Sequence, residues 1–283
     1  MLNEKELIGV KAFAAQIRLG TLKELAHLGF GHVGGAMSIV ETLAVLYGSQ
    51  MKVDPKDPRW DRRDWYIQSK GHAGPATYAT LALKGFFPMS WLNTLNQGGT
   101  RLPSHCDRNQ TPGIDMTTGS LGQGVSAAIG VATALKMDNR DNTVYLMVGD
   151  GELNEGQVWE GAMFASAKKI TNLIWLVDWN KQQLDGNTKE VLDMGDLREK
   201  FASFGFAVQQ VNGHDVKAID DAIDAAKAIK DKPSVIILDT IKGYGCSAAE
   251  GVVPNHHINF KAGQLDGDIA RWQAEYESLK AQA

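Results

Sequence analysis

Residues 144–186, VYLMVGDGELNEGQVWEGAMFASAKKITNLIWLVDWNKQQLDG, decide the fold that we expect for the whole chain. Two short runs within them, 144–148 and 173–177, are rich in β-branched and other large apolar residues. Each run stops at a polar residue, which is typical of a buried parallel strand. Between the runs, residues 155–168 carry apolar side chains at helical spacing. The stretch therefore predicts a β-α-β unit with a right-handed crossover.

Polar side chains follow both predicted strands. Asp150 comes just after the first strand and Asn180 just after the second. Ligands of open parallel sheets bind outside the carboxyl ends of the strands, so we expect these two side chains to converge at one edge. Either residue alone would also suit an ordinary turn. As a pair they favour a metal site, because carboxylate, amide and carbonyl oxygens suit Mg²⁺, with Ca²⁺ or Mn²⁺ as alternatives.

The glycines beside Asp150 indicate what such a metal would hold. Gly149 and Gly151 flank the carboxylate and allow backbone N–H groups to approach an anion closely. Protein-bound Mg²⁺ usually takes its remaining oxygen ligands from water and from phosphates. A metal-bound phosphate or diphosphate is therefore the predicted ligand.

Composition excludes several other classes of protein. The chain has 283 residues, 43% of them hydrophobic and 22% charged, which is typical of a globular protein with a sizeable core. Its net charge of −4 argues against a nucleic-acid-binding surface. No apolar run has the length of a membrane span, and the start MLNEKELIGVKAF lacks the order of a signal peptide. Since Cys106 and Cys246 form no CxxC pair, we expect a cytoplasmic protein.

The remaining pattern predicts an α/β fold with an open, mostly parallel sheet sandwiched by helices, in one domain spanning 1–283. The glycine-rich segment GFGHVGGAMS is expected to be a loop, and Ser38 is expected to cap the helix that follows it. Residues 97–118 are polar and aperiodic, and a loop of that length is usually functional or disordered. The predicted helices are 3–28, 38–50, 75–83, 90–96, the segment after GSLGQG, 196–204, 216–229 and 264–280, and the further strands are 65–68, 206–211 and 234–239.

Most of the histidines lie in loops that contain glycine or proline. They are His32, His72, His105 and the adjacent pair His256 and His257. Their shared setting points to one cleft, and their spacing is not that of zinc ligands except within the adjacent pair. By contrast, His27 in the first helix is expected to be structural, and His214 is expected to be a turn residue before a capping Asp.

Four segments resemble transketolase-like enzymes. The pair GDGE at 149–152 and DWN at 178–180 resembles their thiamine diphosphate motif, with Trp179 where many relatives carry Asn or Asp. GHVGGAMS, RDWYIQSKGHAGPATYATL and LPSHCDRNQTPGIDMTTGSLGQG resemble three further family segments. The resemblance covers about residues 5–245 and weakens in NHHIN, where the family usually has a His-Gly step. It implies the diphosphate-binding domain of the thiamine diphosphate-binding fold.

The resemblance also implies roles for individual residues. It implies that the side chains of Asp150 and Asn180 and the backbone carbonyl of Gln182 bind the metal. It implies that His32, His105 and His257 line the substrate channel, with His256 as the alternative for the last position. The implied contacts of the cofactor and its metal are His72, Gly119, Leu121, Gly149, Asp150, Gly151, Glu152 and Asn180.

A full-length transketolase also carries a pyrimidine-binding domain, which supplies the Glu that activates the cofactor, and a C-terminal domain. Glu152 and Glu155 do not match that Glu. We therefore expect the N-terminal subunit of a split transketolase. A partner chain would supply the pyrimidine domain and grip a sugar phosphate, in a heterotetramer with two copies of each chain. Two alternatives stay open, the α subunit of a 2-oxo acid dehydrogenase first component and a non-catalytic thiamine diphosphate-binding domain. A third, a 1-deoxyxylulose 5-phosphate synthase-like enzyme, is less favoured because those enzymes are usually one longer chain. The sugar itself is not identified.

Overall fold

The computed structural model describes residues 2–282, and a parallel sheet lies at their centre. In chain order, the helices are α1 Glu4–Leu28, α2 Val33–Met37, α3 Val40–Val45, α4 Gly74–Lys84, α5 Gln123–Met137, α6 Gly156–Ala167, α7 Thr188–Leu192, α8 Leu197–Ser203, α9 Val216–Ala228 and α10 Asp266–Lys280. The strands are β1 Phe30–Gly31, β2 Trp65–Gln68, β3 Val144–Gly149, β4 Leu173–Trp179, β5 Gln182–Gln183, β6 Gly186–Asn187, β7 Ala207–Asn212, β8 Ser234–Asp239 and β9 Ile258–Asn259.

The central sheet has the order β2-β3-β4-β8-β7, and all of its strand pairs are parallel. Alternate residues of β3 and β4 point into two apolar cores on opposite faces. Tyr145 and Met147 face the core that contains α1, α3, α4 and α9, whereas Leu146 and Val148 face the core that contains α5, α6 and α8. Strands buried on both faces read as continuous apolar runs, which is why the sequence pattern identified them. The predicted α/β sandwich is confirmed.

The segment around His32 differs from the prediction of a loop followed by one helix. Gly34 and Gly35 lie inside α2, and the predicted helix 38–50 is split into α3 and a π-helical turn, Leu46–Gln50. Ser38 is not an N-cap, because it follows α2 and its hydroxyl donates to Asp178 Oδ2 at 2.7 Å. A tertiary hydrogen bond has thus replaced the local cap that the sequence suggested.

A two-stranded antiparallel ribbon joins the start of the chain to its end. β1 pairs with β9, with Gly31 opposite Ile258. His32 directly follows β1 and His257 directly precedes β9, so the ribbon brings these two histidines side by side. The prediction included neither strand, because two-residue strands have no periodicity.

Residues 97–118 contain no helix or strand, as predicted. The other predicted elements are present, with bounds that differ by up to two residues, and residues 90–96 correspond to a 3₁₀ helix, Met89–Thr94. Among the helices of residues 2–282, none combines the length and the apolar character that crossing a membrane would need.

Candidate active site

A cavity of about 230 Å³ opens at the carboxyl edge of the central sheet. Parallel pairing sets Gly149 opposite Asp178, so Asp150 and Asn180 leave adjacent strands at the same edge. Both side chains line the cavity, as the strand-end argument predicted. The other predicted residues in its wall are His72, His105, Gly119, Leu121, Gly149, Gly151, Glu152 and Gln182.

Asp150 is a buried carboxylate whose hydrogen bonds come from backbone amides. Its Oδ1 accepts from Gly151 N–H at 2.8 Å and its Oδ2 from Lys181 N–H at 2.5 Å. Burial raises the pKa of Asp150 to about 7, and the nearby Asp178 carboxylate adds to the increase. The Lys242 ammonium offsets part of this increase. A buried carboxyl group whose hydrogen bonds come from backbone amides is the kind of group that a divalent cation can stabilise in its charged form.

The amide of Asn180 is oriented by a hydrogen bond. Its Nδ2 donates to Asp178 Oδ2 at 2.7 Å, which leaves Oδ1 as the acceptor, and Gln182 N–H donates to that oxygen at 3.1 Å. An amide oxygen keeps a second lone pair, so Asn180 can still offer a ligand. Asp150, Asn180 and the Gln182 carbonyl therefore fit a hard oxygen-preferring cation such as Mg²⁺.

Asp178 is the centre of this network, and the sequence did not identify it. Four donors reach its buried carboxylate from different parts of the chain, namely Ser38 Oγ at 2.7 Å, Lys70 Nζ at 2.6 Å, Thr240 Oγ1 at 2.5 Å and Asn180 Nδ2 at 2.7 Å. Burial alone would raise the pKa of Asp178, but the Lys70 ammonium and the hydroxyl donors hold it below its usual value. We call Lys70, Asp178, Asn180 and Thr240 the buried floor.

Two lysines in the cavity wall were also missed. Lys70 Nζ donates to the Gly35 carbonyl at 2.7 Å in addition to Asp178. Lys242 Nζ lies 3.4 Å from the carbonyl oxygens of both Gln182 and Gln183, and burial lowers its pKa to about 8. Both lie in segments with sequence signals, SKGH and TIKG, but lysines are so often solvated that the pattern alone did not single them out.

Close packing explains two of the glycines in the wall. A Cβ at Gly151 would lie 2.7 Å from Gln183 Cβ, and Gly119 has a φ of 153° with the His105 ring beside it. Glu152 ties the adjacent turns together, because its carboxylate accepts from the Ser69 hydroxyl and from the amides of Gly122 and Gly149. These contacts fix the backbone where a phosphate could meet it.

Five histidines form one cluster, which reaches into the cavity wall through three of its members. The ring of His32 lies 5.0 to 5.7 Å from those of His72, His105, His256 and His257. Burial, with a smaller contribution from His105 and His257, lowers the pKa of His32 to about 4, and burial lowers that of His256 to about 3. The imidazoles of His32 and His256 are therefore neutral near pH 7, and they can donate or accept hydrogen bonds at hydroxyl groups.

The two adjacent histidines, His256 and His257, lie in different surroundings. His256 lines the cavity, and its ring lies 4.4 Å from that of His72. His257, the predicted choice, packs its ring against Phe30 at 5.6 Å and against His32. His32 and His257 lie beside the cavity lining rather than in it. Within residues 2–282, no group of three or more His, Cys, Asp or Glu side chains is placed to hold a metal ion.

The outer wall of the site is exposed. Residues 182–194, which we call the outer hairpin, comprise the β5-β6 hairpin and α7. Leu184 lines the cavity and is 61% exposed, and Val191 and Leu192 are also exposed. A second cavity, of about 380 Å³, lies between this segment and Asp150.

An open parallel sheet with a glycine-walled, oxygen-rich cavity at its carboxyl edge defines a diphosphate-binding α/β domain. Residues 10–279 match the family described as the transketolase thiamine diphosphate binding domain. The chain belongs to the transketolase family, as the sequence motifs indicated, and this match sets aside the 2-oxo acid dehydrogenase alternative.

Two relatives of similar length are named as subunits. The chain is 49% identical over 271 residues to the 6-deoxy-6-sulfo-D-fructose transketolase subunit SqwG of Clostridium sp. (strain MSTE9), covering 96% of this chain and 98% of that protein. It is 40% identical over 227 residues to one of the subunits of the apulose-4-phosphate transketolase of Actinobacillus succinogenes, covering 80% of this chain and 82% of that one.

Solved structures of whole transketolases share the fold. A transketolase variant from Pichia stipitis superimposes with a TM-score of 0.87 at 29% identity, covering 97% of this chain and 44% of that one. Transketolase from Leishmania mexicana gives a TM-score of 0.87 at 32% identity, covering 95% and 41%. The chain thus spans less than half the length of these solved transketolases.

Proposed function

We propose that the chain is the diphosphate-binding subunit of a two-chain transketolase, which transfers a two-carbon ketol unit from a ketose to an aldose. The observation that carries this proposal is the shared cavity of Asp150, Asn180, Gln182, His72 and His105 at the carboxyl edge of the sheet. Three relatives of matching length are named as transketolase subunits, which supports the division into two chains.

In this proposal, Asp150, Asn180 and the Gln182 carbonyl hold Mg²⁺, and the metal holds the diphosphate of thiamine diphosphate. The backbone at Gly119, Gly149 and Gly151, the side chain of Leu121 and the ring of His72 surround the diphosphate, while Glu152 braces the turns beside it. Lys70 and Lys242 place positive charge in the same wall. When bound, the cofactor supplies the carbanion chemistry of ketol transfer.

The histidines would handle the hydroxyl groups of the sugar. We propose His32, His105 and His257 for this role, together with His256, which lies in the cavity wall. Neutral imidazoles suit it, because each can accept a hydroxyl proton at one nitrogen and donate from the other. The lowered pKa values of His32, His105 and His256 keep these rings neutral at working pH.

The exposed outer hairpin supports a partner at the mouth of the cavity. We propose that a second chain with a pyrimidine-binding domain covers Leu184 and its neighbours, supplies the activating Glu and completes a heterotetramer with two copies of each chain. Both cysteines are buried and free, which supports a reducing, cytoplasmic setting. On this proposal the diphosphate-binding domain spans the whole of residues 1–283.

We propose that the donor is a ketose with an anionic end group, and that the partner grips this end. The relative with 49% identity is named for 6-deoxy-6-sulfo-D-fructose, and two others are named for apulose 4-phosphate. The first of these sugars is therefore the donor to test before the second.

The test mixes the purified chain with its candidate partner, Mg²⁺, thiamine diphosphate, each ketose in turn and an aldose acceptor. We expect ketol transfer from the mixture and almost none from either chain alone. The mixture with Asp150→Ala should be inactive and should not bind the cofactor. Robust turnover by the single chain would refute the two-chain proposal. Absence of both turnover and magnesium-dependent cofactor binding would refute the proposed function.

A further inference from the structure

A chain of buried polar side chains runs behind the cavity and joins three helices. Arg18 of α1 donates from Nη2 to Glu41 Oε1 of α3 at 2.6 Å. The other oxygen of Glu41 lies 3.1 Å from Nδ1 of His214, which stands just before α9. The three side chains are only 1%, 7% and 9% exposed. Although His214 was expected to be a plain turn residue, it is part of this network, while Asp215 caps α9 as predicted.

The hydrogen bonds fix the tautomer of His214. Its Nε2 receives the backbone N–H of Ile241 at 2.9 Å. A backbone N–H can only donate, so Nε2 carries no proton, and the ring proton lies on Nδ1 and points to Glu41. Burial alone would raise the pKa of Glu41, but Arg18 and His214 hold it below its usual value, so the acceptor is a carboxylate. Arg18 thus orients Glu41, and Glu41 orients the imidazole.

The residue at the end of this network belongs to the turn 240–243, which borders the cavity. Thr240 donates to Asp178 in the buried floor, and Lys242 lines the cavity wall. The Ile241 side chain between them is 43% exposed and contributes little packing. Its backbone N–H bond to His214 is therefore one anchor of the turn, beside the bond from Gly243 N–H to the Gly34 carbonyl at 3.0 Å.

Two further contacts hold Tyr244, the residue that follows this turn. The ring of His214 stacks on that of Tyr244, with centroids 3.8 Å apart. Arg18 Nε donates to the Tyr244 carbonyl at 3.3 Å, and the guanidinium lies 4.3 Å from the centre of the Trp272 ring of α10. The network therefore contacts the segment after β8 at two residues, Ile241 and Tyr244. It does not line the cavity itself.

We infer that His214, oriented by Glu41 and Arg18, is a positioning residue that sets the 240–243 turn and through it the affinity of the site for magnesium-bound diphosphate. This inference rests on the proposed function. It assigns the effect to the acceptor at Nε2, and not to the bulk of the ring.

Two substitutions separate the two nitrogens of the ring. Asparagine ends near the position of Nδ1, so His214→Asn keeps a partner for Glu41 and loses the acceptor for Ile241. Glutamine reaches the position of Nε2, so His214→Gln keeps an acceptor for Ile241. His27→Asn, at an exposed position of α1, is the matched control.

The experiment measures amide hydrogen exchange at Ile241 in the full chain and a thiamine diphosphate titration of the two-chain complex with Mg²⁺. For His214→Asn we expect faster exchange at Ile241 and an apparent Kd raised by about five- to tenfold, which is the order of effect of one lost hydrogen bond. For His214→Gln we expect slow exchange and a Kd within about threefold of wild type, and for His27→Asn no change.

The outcomes distinguish the two claims. If the wild-type complex shows no magnesium-dependent binding, the proposed function fails and this inference fails with it. If the wild type binds and His214→Asn binds equally well with unchanged exchange at Ile241, only the inference fails. Equal losses of affinity and of thermal stability in the Asn and Gln variants would assign His214 a general structural role and would also overturn it.

Discussion

The buried floor and the outer hairpin are two walls of one cavity, and they are built in opposite ways. In the floor, Asp178 is fully enclosed and receives four side-chain donors. In the hairpin, Leu184 is largely exposed and α7 has no buried residue. The contrast supports the proposal that this chain itself provides the metal and diphosphate end of the site. At the outer hairpin, the apolar side chains of Leu184, Val191 and Leu192 are exposed, and no other part of residues 2–282 buries them.

The largest expected effect is in the floor. Asp178→Asn removes the counter-charge of Lys70, whose ammonium is 1% exposed. Breaking a buried pair from one side should cost about 3–5 kcal/mol in the free energy of unfolding. Chemical denaturation measures this cost. Asp185→Asn, at an exposed position of the hairpin, is the control and should change stability by less than about 0.5 kcal/mol. Equal small losses in both variants would erase the contrast between the walls.

The second effect lies where the two walls meet. A Cβ at Gly151 would be 2.7 Å from Gln183 Cβ, so Gly151→Ala should push the hairpin outward. We expect a loss of about 1–3 kcal/mol in stability and weaker thiamine diphosphate binding by calorimetry. Gly156→Ala is the matched control, because an added Cβ there meets open space in α6. If both variants bind the cofactor like the wild type, the hairpin is not in contact with the metal end.

The third effect is a dependence on pH in the histidine cluster. Burial lowers the pKa of His32 from 6.5 to about 4, so the unfolded chain takes up this proton before the folded chain does. The contribution of His32 to the free energy of unfolding should therefore be fully present above about pH 6.5, and it should be lost as the pH decreases toward 4. The loss should be about 1–2 kcal/mol after allowance for partial solvent access. Denaturation curves from pH 7 to 4 test this, and His32→Asn should flatten the slope. Parallel slopes for variant and wild type would contradict it.

The smallest effect on the isolated chain is expected in the hairpin. Leu184→Ser removes an exposed apolar side chain, so the stability of the chain alone should change by less than about 0.5 kcal/mol. Affinity for the partner chain, measured by calorimetry, should fall about tenfold, because a buried leucine at an interface loses roughly 1–2 kcal/mol. Lys189→Ser, also exposed on this segment, is the control. Unchanged partner affinity would place the interface elsewhere.

Local patterns predicted the sheet and the residues at its edge. Strands buried on both faces leave apolar runs, and parallel strands bring their ends together, so Asp150 and Asn180 could be paired from sequence alone. Four segments that resemble transketolase motifs predicted the family. Both predictions rest on patterns that each lie within a few tens of residues along the chain.

What the sequence could not predict depends on long-range contacts. Asp178 looked like the end of a strand, because its donors come from residues 38, 70 and 240. Ser38 satisfied a local capping rule, but a carboxylate 140 residues away provides its actual partner. The choice between His256 and His257 depends on the β1-β9 ribbon, whose strands have two residues each and leave no periodic signal.

The four donors around Asp178 also limit the order in which this part of the site can form during folding. They come from α2, β2, β4 and β8 or the turns that follow these elements, so this set of hydrogen bonds cannot be completed before β8 has docked beside β4. A growing or truncated polypeptide that stops short of residue 240 would lack Thr240 at its central acid. On the proposed function, coenzyme binding would therefore follow the docking of β8 and would not precede it.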